Sequence, residues 1–172
     1  MSEATVGEGS VSEATVRPAR PGDVPVICHL IRELADYERA LDQVEVTEAG
    51  LDAALFGPAP AVFAHVAQHQ GVVAGFALWF VNFSTWTGQH GIHLEDLFVS
   101  PALRGSGLGR ALLAELAGIC LERGYGRLEW VVLDWNSSAL EFYAALGAQN
   151  ADDWRIRRLT GTALHALAAG RA

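Results

Sequence analysis

One stretch of the sequence decides the fold, and it reads LEDLFVSPALRGSGLGR from Leu94 to Arg110. Residues 94–99 favour a strand, which Ser100 and Pro101 end. A glycine-rich turn follows, and the apolar residues after it recur with helical spacing. These residues are Leu108, Leu112, Leu116, Ile119 and Cys120. The stretch therefore predicts a strand, a turn and a helix in direct succession.

The turn stands at the beginning of the predicted helix, where free N–H groups and the helix dipole favour an anion. A Walker A loop would need Gly-Lys-Ser/Thr, but the chain has Gly109-Arg110-Ala111. The dinucleotide fingerprint would need a third glycine where Arg110 stands. The remaining pattern, Arg-x-x-Gly-x-Gly at Arg104, Gly107 and Gly109, predicts a phosphate or pyrophosphate site. A turn without a ligand is the alternative.

Length and composition indicate a globular protein. The chain has 172 residues, of which 51% are hydrophobic, so one domain with a substantial core is expected. We expect residues 1–14 to form a disordered tail and residues 15–172 to form a single domain. The net charge of −8 argues against nucleic acid as the main partner and favours a cationic ligand.

The sequence also bears on location. It has neither an apolar run of membrane-spanning length nor a basic segment followed by an apolar one at the N-terminus, so we expect a cytoplasmic protein without a membrane partner. Cys28 and Cys120 fall in apolar helical patterns, which favours two reduced core cysteines over a disulfide.

The remaining segments alternate between strands and helices, with one hairpin in the middle, and predict a mixed sheet with helices on both faces. We expect strands at 15–19, 61–68, 72–81, 128–133 and 154–160, a loop over 82–91, and helices after Asp23, Thr47, Gly107, Asn136 and Thr160.

Several segments resemble the GNAT superfamily, and within it the diamine (spermidine/spermine-type) and thialysine acetyltransferases. The segments are 17–19, 31–38, the loop containing Trp86, 94–99, 104–109, 134–136 and 142–148. The resemblance covers roughly residues 15–168 and implies an α/β GNAT fold, a mixed and mostly antiparallel sheet flanked by helices. It also implies acetyl-CoA as cosubstrate, a small cationic amine as substrate, and a homodimer.

The resemblance places the chemistry on two side chains. Glu95 corresponds to the base that takes the amine proton, directly or through water, and Tyr143 to the acid that protonates the departing thiolate. Simple alternation puts Glu95 on the opposite side of the sheet from Leu94 and Asp96. The alternatives are an exposed strand carboxylate for Glu95 and a packed aromatic for Tyr143.

The resemblance also implies two sets of binding residues. Backbone N–H groups of Leu97, Phe98 and Val99 would pair with the pantetheine arm. The further coenzyme residues are Arg104, Gly105, Ser106, Gly107, Leu108, Gly109, Arg110, Asn136 and Tyr143. The amine residues are Tyr37, Glu38, Trp86, Glu95, Asp134 and Trp154, with Asp96 and Glu129 as weaker candidates. For Arg104, the alternative to a coenzyme contact is a solvated surface side chain. For Asn136, the alternative is a simple helix cap.

Three functions stay open at this point. The first is acetylation of a small cationic amine, the second is acetylation of a protein or peptide amine, and the third is a non-catalytic acyl-CoA-binding module. Trp79 and Trp130 are expected in the core. The six histidines show no ligand spacing, so we expect no metal.

Overall fold

The computed structural model of the protein describes residues 14–170. They divide between Val131 and Val132 into two compact units. Ala14 already belongs to the first strand, and the rest of the predicted tail lies outside the described residues. The single domain over residues 15–172 stays a prediction. Within the described chain, no helix is long and apolar enough to cross a bilayer.

The first unit contains one sheet of five strands in the order β1-β2-β3-β4-β5. Neighbouring strands are antiparallel from β1 to β4, and β5 is parallel to β4. This confirms the mixed, mostly antiparallel sheet. The elements are β1 (Ala14–Pro18), α1 (Val24–Tyr37), α2 (Glu48–Phe56), β2 (Phe63–His69), β3 (Val72–Ser84), β4 (Gln89–Val99), α3 (Leu108–Glu122) and β5 (Leu128–Trp130).

Helices cover both faces of this sheet. On one face, α1 and α2 share a core with Phe76, Leu78 and Phe98. Trp79 follows Leu78 in the strand and therefore points to the other face, where the Arg123 guanidinium at the end of α3 lies 5.8 Å from its ring. The apolar stripe predicted for α3 is buried there, apart from the half-buried Ile119.

The hairpin between β3 and β4 is longer than the sequence predicted. Residues 82–91 were expected to form a loop, but Asn82 pairs with Gly91 and Ser84 with Gln89, which leaves only residues 85–88 as a turn. Cross-strand pairing overrides the polar, loop-like composition of these residues. At the other end of the sheet, the strand predicted over 128–133 stops at Trp130, because β5 pairs only with three residues of β4.

The second unit holds α4 (Ser137–Ala145) and α5 (Gly161–Ala169). The prediction of a strand over 154–160 was wrong. Trp154 and Ile156 alternate with arginines, but residues 154–160 belong to no strand of the described sheet, and a strand needs a paired neighbour.

Candidate active site

A bulge interrupts β4 at Glu95. Leu94 pairs with Trp79 and Asp96 pairs with Leu78, so two consecutive residues of β3 face three of β4. Glu95 is the extra residue, and its side chain is 57% exposed. Bulges of this kind re-aim side chains and occur frequently beside active sites. Periodicity alone does not reveal the bulge, since the sequence around it remains an unbroken strand pattern.

The bulge brings the two carboxylates to the same face of the sheet. Glu95 lies on the face of His93, because its Oε2 is 4.0 Å from His93 Nε2, whereas Leu94 shares the α3 face with its partner Trp79. Asp96 shares the face of its own partner, Leu78, which belongs to the core under α1 and α2. The prediction that Glu95 and Asp96 lie on opposite sides was therefore wrong. It assumed strict alternation, which the extra residue breaks.

A third carboxylate, Glu38, joins this pair from the end of α1. Burial, together with the charges of Glu95 and Glu38, raises the pKa of Asp96 to about 6. Burial also raises the pKa of Glu38. Because the charges of Glu95 and Glu38 both act on Asp96, the three carboxylates lie near one another. We name Glu38, Glu95 and Asp96 the carboxylate cluster. It is suited to bind a cation and to exchange a proton near neutral pH.

A possible anion site lies in the same unit, at the start of α3. Gly107 precedes the helix in the left-handed region, with φ of 87°. The first hydrogen bond of the helix runs from the Ala111 N–H to the Gly107 carbonyl, so the N–H groups of residues 108–110 point out of the helix start. A Cβ placed on Gly107 would meet nothing within 4 Å. The open cradle has room for a bulky phosphate group and fits coenzyme A.

Two side chains of this turn are engaged within the protein. The Arg104 guanidinium lies over the Tyr37 and Phe98 rings, at 4.5 and 5.6 Å from their centres, and its Nε donates to the Val99 carbonyl. The Ser106 hydroxyl donates to the Leu103 carbonyl at 2.6 Å. The backbone N–H groups of the turn are thus better placed to bind an anion than the side chains of Arg104 and Ser106. The exposed Arg110 adds positive charge to the first turn of α3.

Beyond the bulge, β5 no longer pairs with β4. β5 pairs with β4 only at Ile92, His93 and Leu94. No strand of the described chain occupies that edge of β4 along residues 97–99, the residues predicted to pair with the pantetheine arm. Open strand edges of this kind can take an extended ligand as an additional strand.

Trp86 does not join the carboxylate cluster. It lies in the turn of the β3–β4 hairpin and is 85% exposed. Glu95 is six residues from Gln89, where β4 begins, and this corresponds to about 20 Å along the strand. Of the predicted amine residues in the first unit, the structure therefore groups Glu38 and Glu95, with Asp96, but not Trp86. Tyr37 directly precedes Glu38 at the end of α1.

The remaining predicted site residues belong to the second unit. They are Asp134, Asn136, Tyr143 and Trp154. Asn136 is the N-cap of α4, where its Oδ1 accepts from the Ala139 N–H at 3.3 Å. Tyr143 lies on the same helix, with its ring 5.3 Å from that of Phe142. Asn136 thus has a structural role whether or not it also contacts a coenzyme.

The family follows from the sequence match. A family model described as the acetyltransferase (GNAT) family matches residues 28–148. The chain belongs to the GNAT acetyltransferase family. The matched range includes both the bulged strand and the glycine turn.

Similarity to two named enzymes indicates the type of reaction. The acetyltransferase is 40% identical to a thialysine N-epsilon-acetyltransferase of Bos taurus over 164 residues, covering 89% of this chain and 96% of the relative. It is 32% identical to an L-ornithine N5-acetyltransferase of Arabidopsis thaliana over 197 residues, covering 88% of this chain and 86% of the relative. These matches show that the chain is an N-acetyltransferase.

Solved structures agree on the fold. An integron cassette protein from the mobile metagenome of V. cholerae superposes with a TM-score of 0.76 at 26% identity, covering 90% of the acetyltransferase and 97% of that chain.

Within residues 14–170, the acetyltransferase has no group of three or more His, Cys, Asp or Glu side chains arranged to hold a metal ion.

Sequence reasoning missed one neighbour of Glu95. His93 lies two residues earlier on β4, and its Nε2 is 4.0 Å from Glu95 Oε2. The signal was available, because residues i and i+2 of a strand share a face. The spacing of the six histidines along the chain, by itself, does not reveal that His93 lies beside Glu95.

Proposed function

We propose that the acetyltransferase moves the acetyl group of acetyl-CoA to a primary amine of a small cationic substrate, a diamine, a polyamine or a thialysine-like amino acid. The observation that carries the proposal is the carboxylate cluster, in the same unit as the glycine cradle at the start of α3. The activities of the relatives, on thialysine and ornithine, support a small amine. The cluster supplies negative charge for such a cation.

Acetyl-CoA would supply an activated acetyl thioester. In this proposal the first turn of α3 binds the pyrophosphate, and the N–H groups of residues 97–99 hold the pantetheine arm and polarise the thioester carbonyl. Asn136 and Tyr143 would complete the coenzyme contacts. Tyr37, Asp134 and Trp154 would accompany the cluster around the amine.

A protonated alkyl amine, with an ordinary pKa of about 10, cannot attack a carbonyl. Glu95 would accept its proton, directly or through a water molecule, as the amine nitrogen bonds to the acetyl carbon. Tyr143 would donate its phenolic proton to the sulfur as the carbon–sulfur bond breaks. The second proton of the amine leaves as the amide forms. Solvent takes it together with the proton on Glu95 and returns one proton to Tyr143, so each turnover releases one proton.

A substrate panel tests this proposal. Thialysine, ornithine, spermidine and a lysine peptide are offered with acetyl-CoA, and the release of free thiol is measured. We expect turnover of one or more of the small amines. Release with the peptide alone would favour a protein acetyltransferase, and no release with any amine would overturn the proposal.

Glu95→Gln tests the assigned base. We expect kcat near neutral pH to fall by about 10²–10⁴-fold, with partial recovery at high pH, where more of the amine is already neutral. A rise in KM with unchanged kcat would mean that Glu95 only binds the cation. Glu122→Gln, which removes an exposed carboxylate at the end of α3, is the matched control. The homodimer stays a prediction.

A further inference from the structure

His93 lies between two carboxylates. Its Nε2 is 4.0 Å from Glu95 Oε2, and its Nδ1 is 3.9 Å from Glu129 Oε1. The ring stacks on Phe80, the cross-strand partner of His93, with ring centres 4.9 Å apart. The side chain is 22% exposed. The imidazole is thus held in one place, with a carboxylate facing each nitrogen.

Glu129 is itself fixed by neighbouring groups. The Arg127 Nη2 lies 3.2 Å from Glu129 Oε1, and the Asn82 amide donates to the same oxygen. The charged groups around His93 are therefore Glu95 on β4, Glu129 on β5 and Arg127 just before β5, with Asp96 and Glu38 beyond Glu95. From β3, the uncharged Phe80 stacks on its ring. Glu129 serves as a rigid anchor, whereas the exposed Glu95 can change partners.

Histidine changes charge between about pH 5 and 8. As an imidazolium, His93 attracts Glu95 and occupies the carboxylate that a cationic amine needs. As a neutral imidazole it leaves Glu95 available. The substrate ammonium and the imidazolium proton therefore compete for one negative charge.

We propose that His93 is a positioning residue of the amine site, which competes with the cationic substrate for Glu95 in mildly acidic solution. This inference rests on the proposed function, in which Glu95 receives the amine. When the amine binds, His93 loses one proton to solvent and Glu95 turns from the imidazole to the substrate. Nothing else changes its bonding in this step.

Calorimetry provides a test that does not require turnover. Thialysine is titrated into the full chain with coenzyme A present, at about pH 6 and again at about pH 8, in two buffers of different ionisation enthalpy. The buffer dependence of the heat counts the protons released. We expect release at about pH 6 from the wild type and a clearly smaller release from His93→Asn. At about pH 8 the two proteins should agree.

Kinetics gives a second readout. Competition for Glu95 raises KM in the more acidic solution. We expect the ratio of KM at about pH 6 to KM at about pH 8 to be smaller in His93→Asn than in the wild type. His90→Asn is the matched control, because His90 lies on the same strand but about 17 Å from Glu95 along it.

Glu129→Gln provides an independent variant if His93→Asn does not fold. Loss of the anchoring carboxylate should shift proton release and the KM ratio in the same direction, by a smaller amount. Equal proton release and equal KM ratios in the wild type and a folded variant would overturn the inference. An inactive wild type that binds no thialysine at about pH 8, where histidine is neutral, would instead overturn the proposed function, and this inference with it.

Discussion

The guanidinium carbon of Arg104 lies 4.5 Å from the centre of the Tyr37 ring. Arg104 belongs to the glycine turn before α3, and Tyr37 is the last residue of α1. The contact therefore joins the segment that we assign to the coenzyme with the segment that we assign to the amine. A guanidinium over an aromatic face is a cation–π arrangement, worth about 0.5–1 kcal/mol at an exposed position.

A double-mutant cycle tests this link. We expect Arg104→Gln and Tyr37→Leu to be non-additive in the free energy of unfolding, with a coupling of about 0.5–1 kcal/mol. Urea denaturation of the four proteins measures it. Arg110→Gln combined with Tyr37→Leu is the control pair and should be additive. Additivity of the Arg104 pair as well would show that the stacking contributes nothing.

Gly107 should be needed for its backbone conformation. Its φ is 87°, and a Cβ at this position would have no atom within 4 Å, so Gly107→Val strains the backbone by about 1–2 kcal/mol without a clash. We expect a folded protein with strongly weakened acetyl-CoA binding in calorimetry. Gly118→Ala in the middle of α3 is the control and should stabilise by about 0.5–1 kcal/mol. Unchanged affinity in folded Gly107→Val would remove the turn from the coenzyme site.

Tyr143→Phe keeps the ring and removes the phenolic proton. If Tyr143 protonates the departing thiolate, kcat should fall by about 10²–10⁴-fold while acetyl-CoA affinity stays nearly intact. Single-turnover kinetics and calorimetry together separate these two effects. Phe142→Leu on the same helix controls for a general loss of aromatic packing. Wild-type turnover in Tyr143→Phe would leave Tyr143 as a packing residue.

Asp96 should make stability depend on pH in an unusual direction. Its pKa is raised from 3.8 to about 6, so the folded protein binds a proton more tightly than the unfolded chain does. The resulting destabilisation of the folded protein is absent below about pH 4, grows as pH rises from about 4 to about 6, and is complete above about 6. Asp96→Asn should therefore be more stable than the wild type at pH 8, by on the order of 2–3 kcal/mol.

Urea denaturation at about pH 8 and pH 4 checks this difference, which should vanish at the lower pH. Asp42→Asn, at an exposed position before α2, should show neither effect. A variant that is no more stable than the wild type at pH 8 would mean that the Asp96 carboxylate is well solvated.

Local patterns predicted much of the first unit. Thr47 caps α2 as expected, with its Oγ1 accepting from the Gly50 N–H at 3.1 Å. Gly124 follows α3 with φ of 66°, a conformation that glycine adopts readily at the end of a helix. Signals of this kind arise within a few residues of the chain, so the sequence displays them directly. The two cysteines are also free and buried, as predicted.

Features that depend on pairing between distant residues could not be predicted in this way. The bulge arises because Trp79 pairs with Leu94 and Leu78 pairs with Asp96. This register is set by pairing between two strands of a hairpin and not by the local sequence. The same pairing turned the expected loop over 82–91 into strand. The contact of His93 with Glu129 depends on the parallel register of β5, which no local pattern encodes.

The bulge has a consequence for how the sequence can change. If Glu95 were removed, Leu94, Asp96, Leu97 and Phe98 would still alternate between the two faces as they do now. Glu95 is therefore supernumerary in the pleat, and neither core relies on its side chain. Substitutions of Glu95 should therefore be limited by the loss of its carboxylate chemistry and not by packing. A library of substitutions at Glu95 should thus yield folded proteins that sort by activity, whereas one at Leu94 should sort by folding.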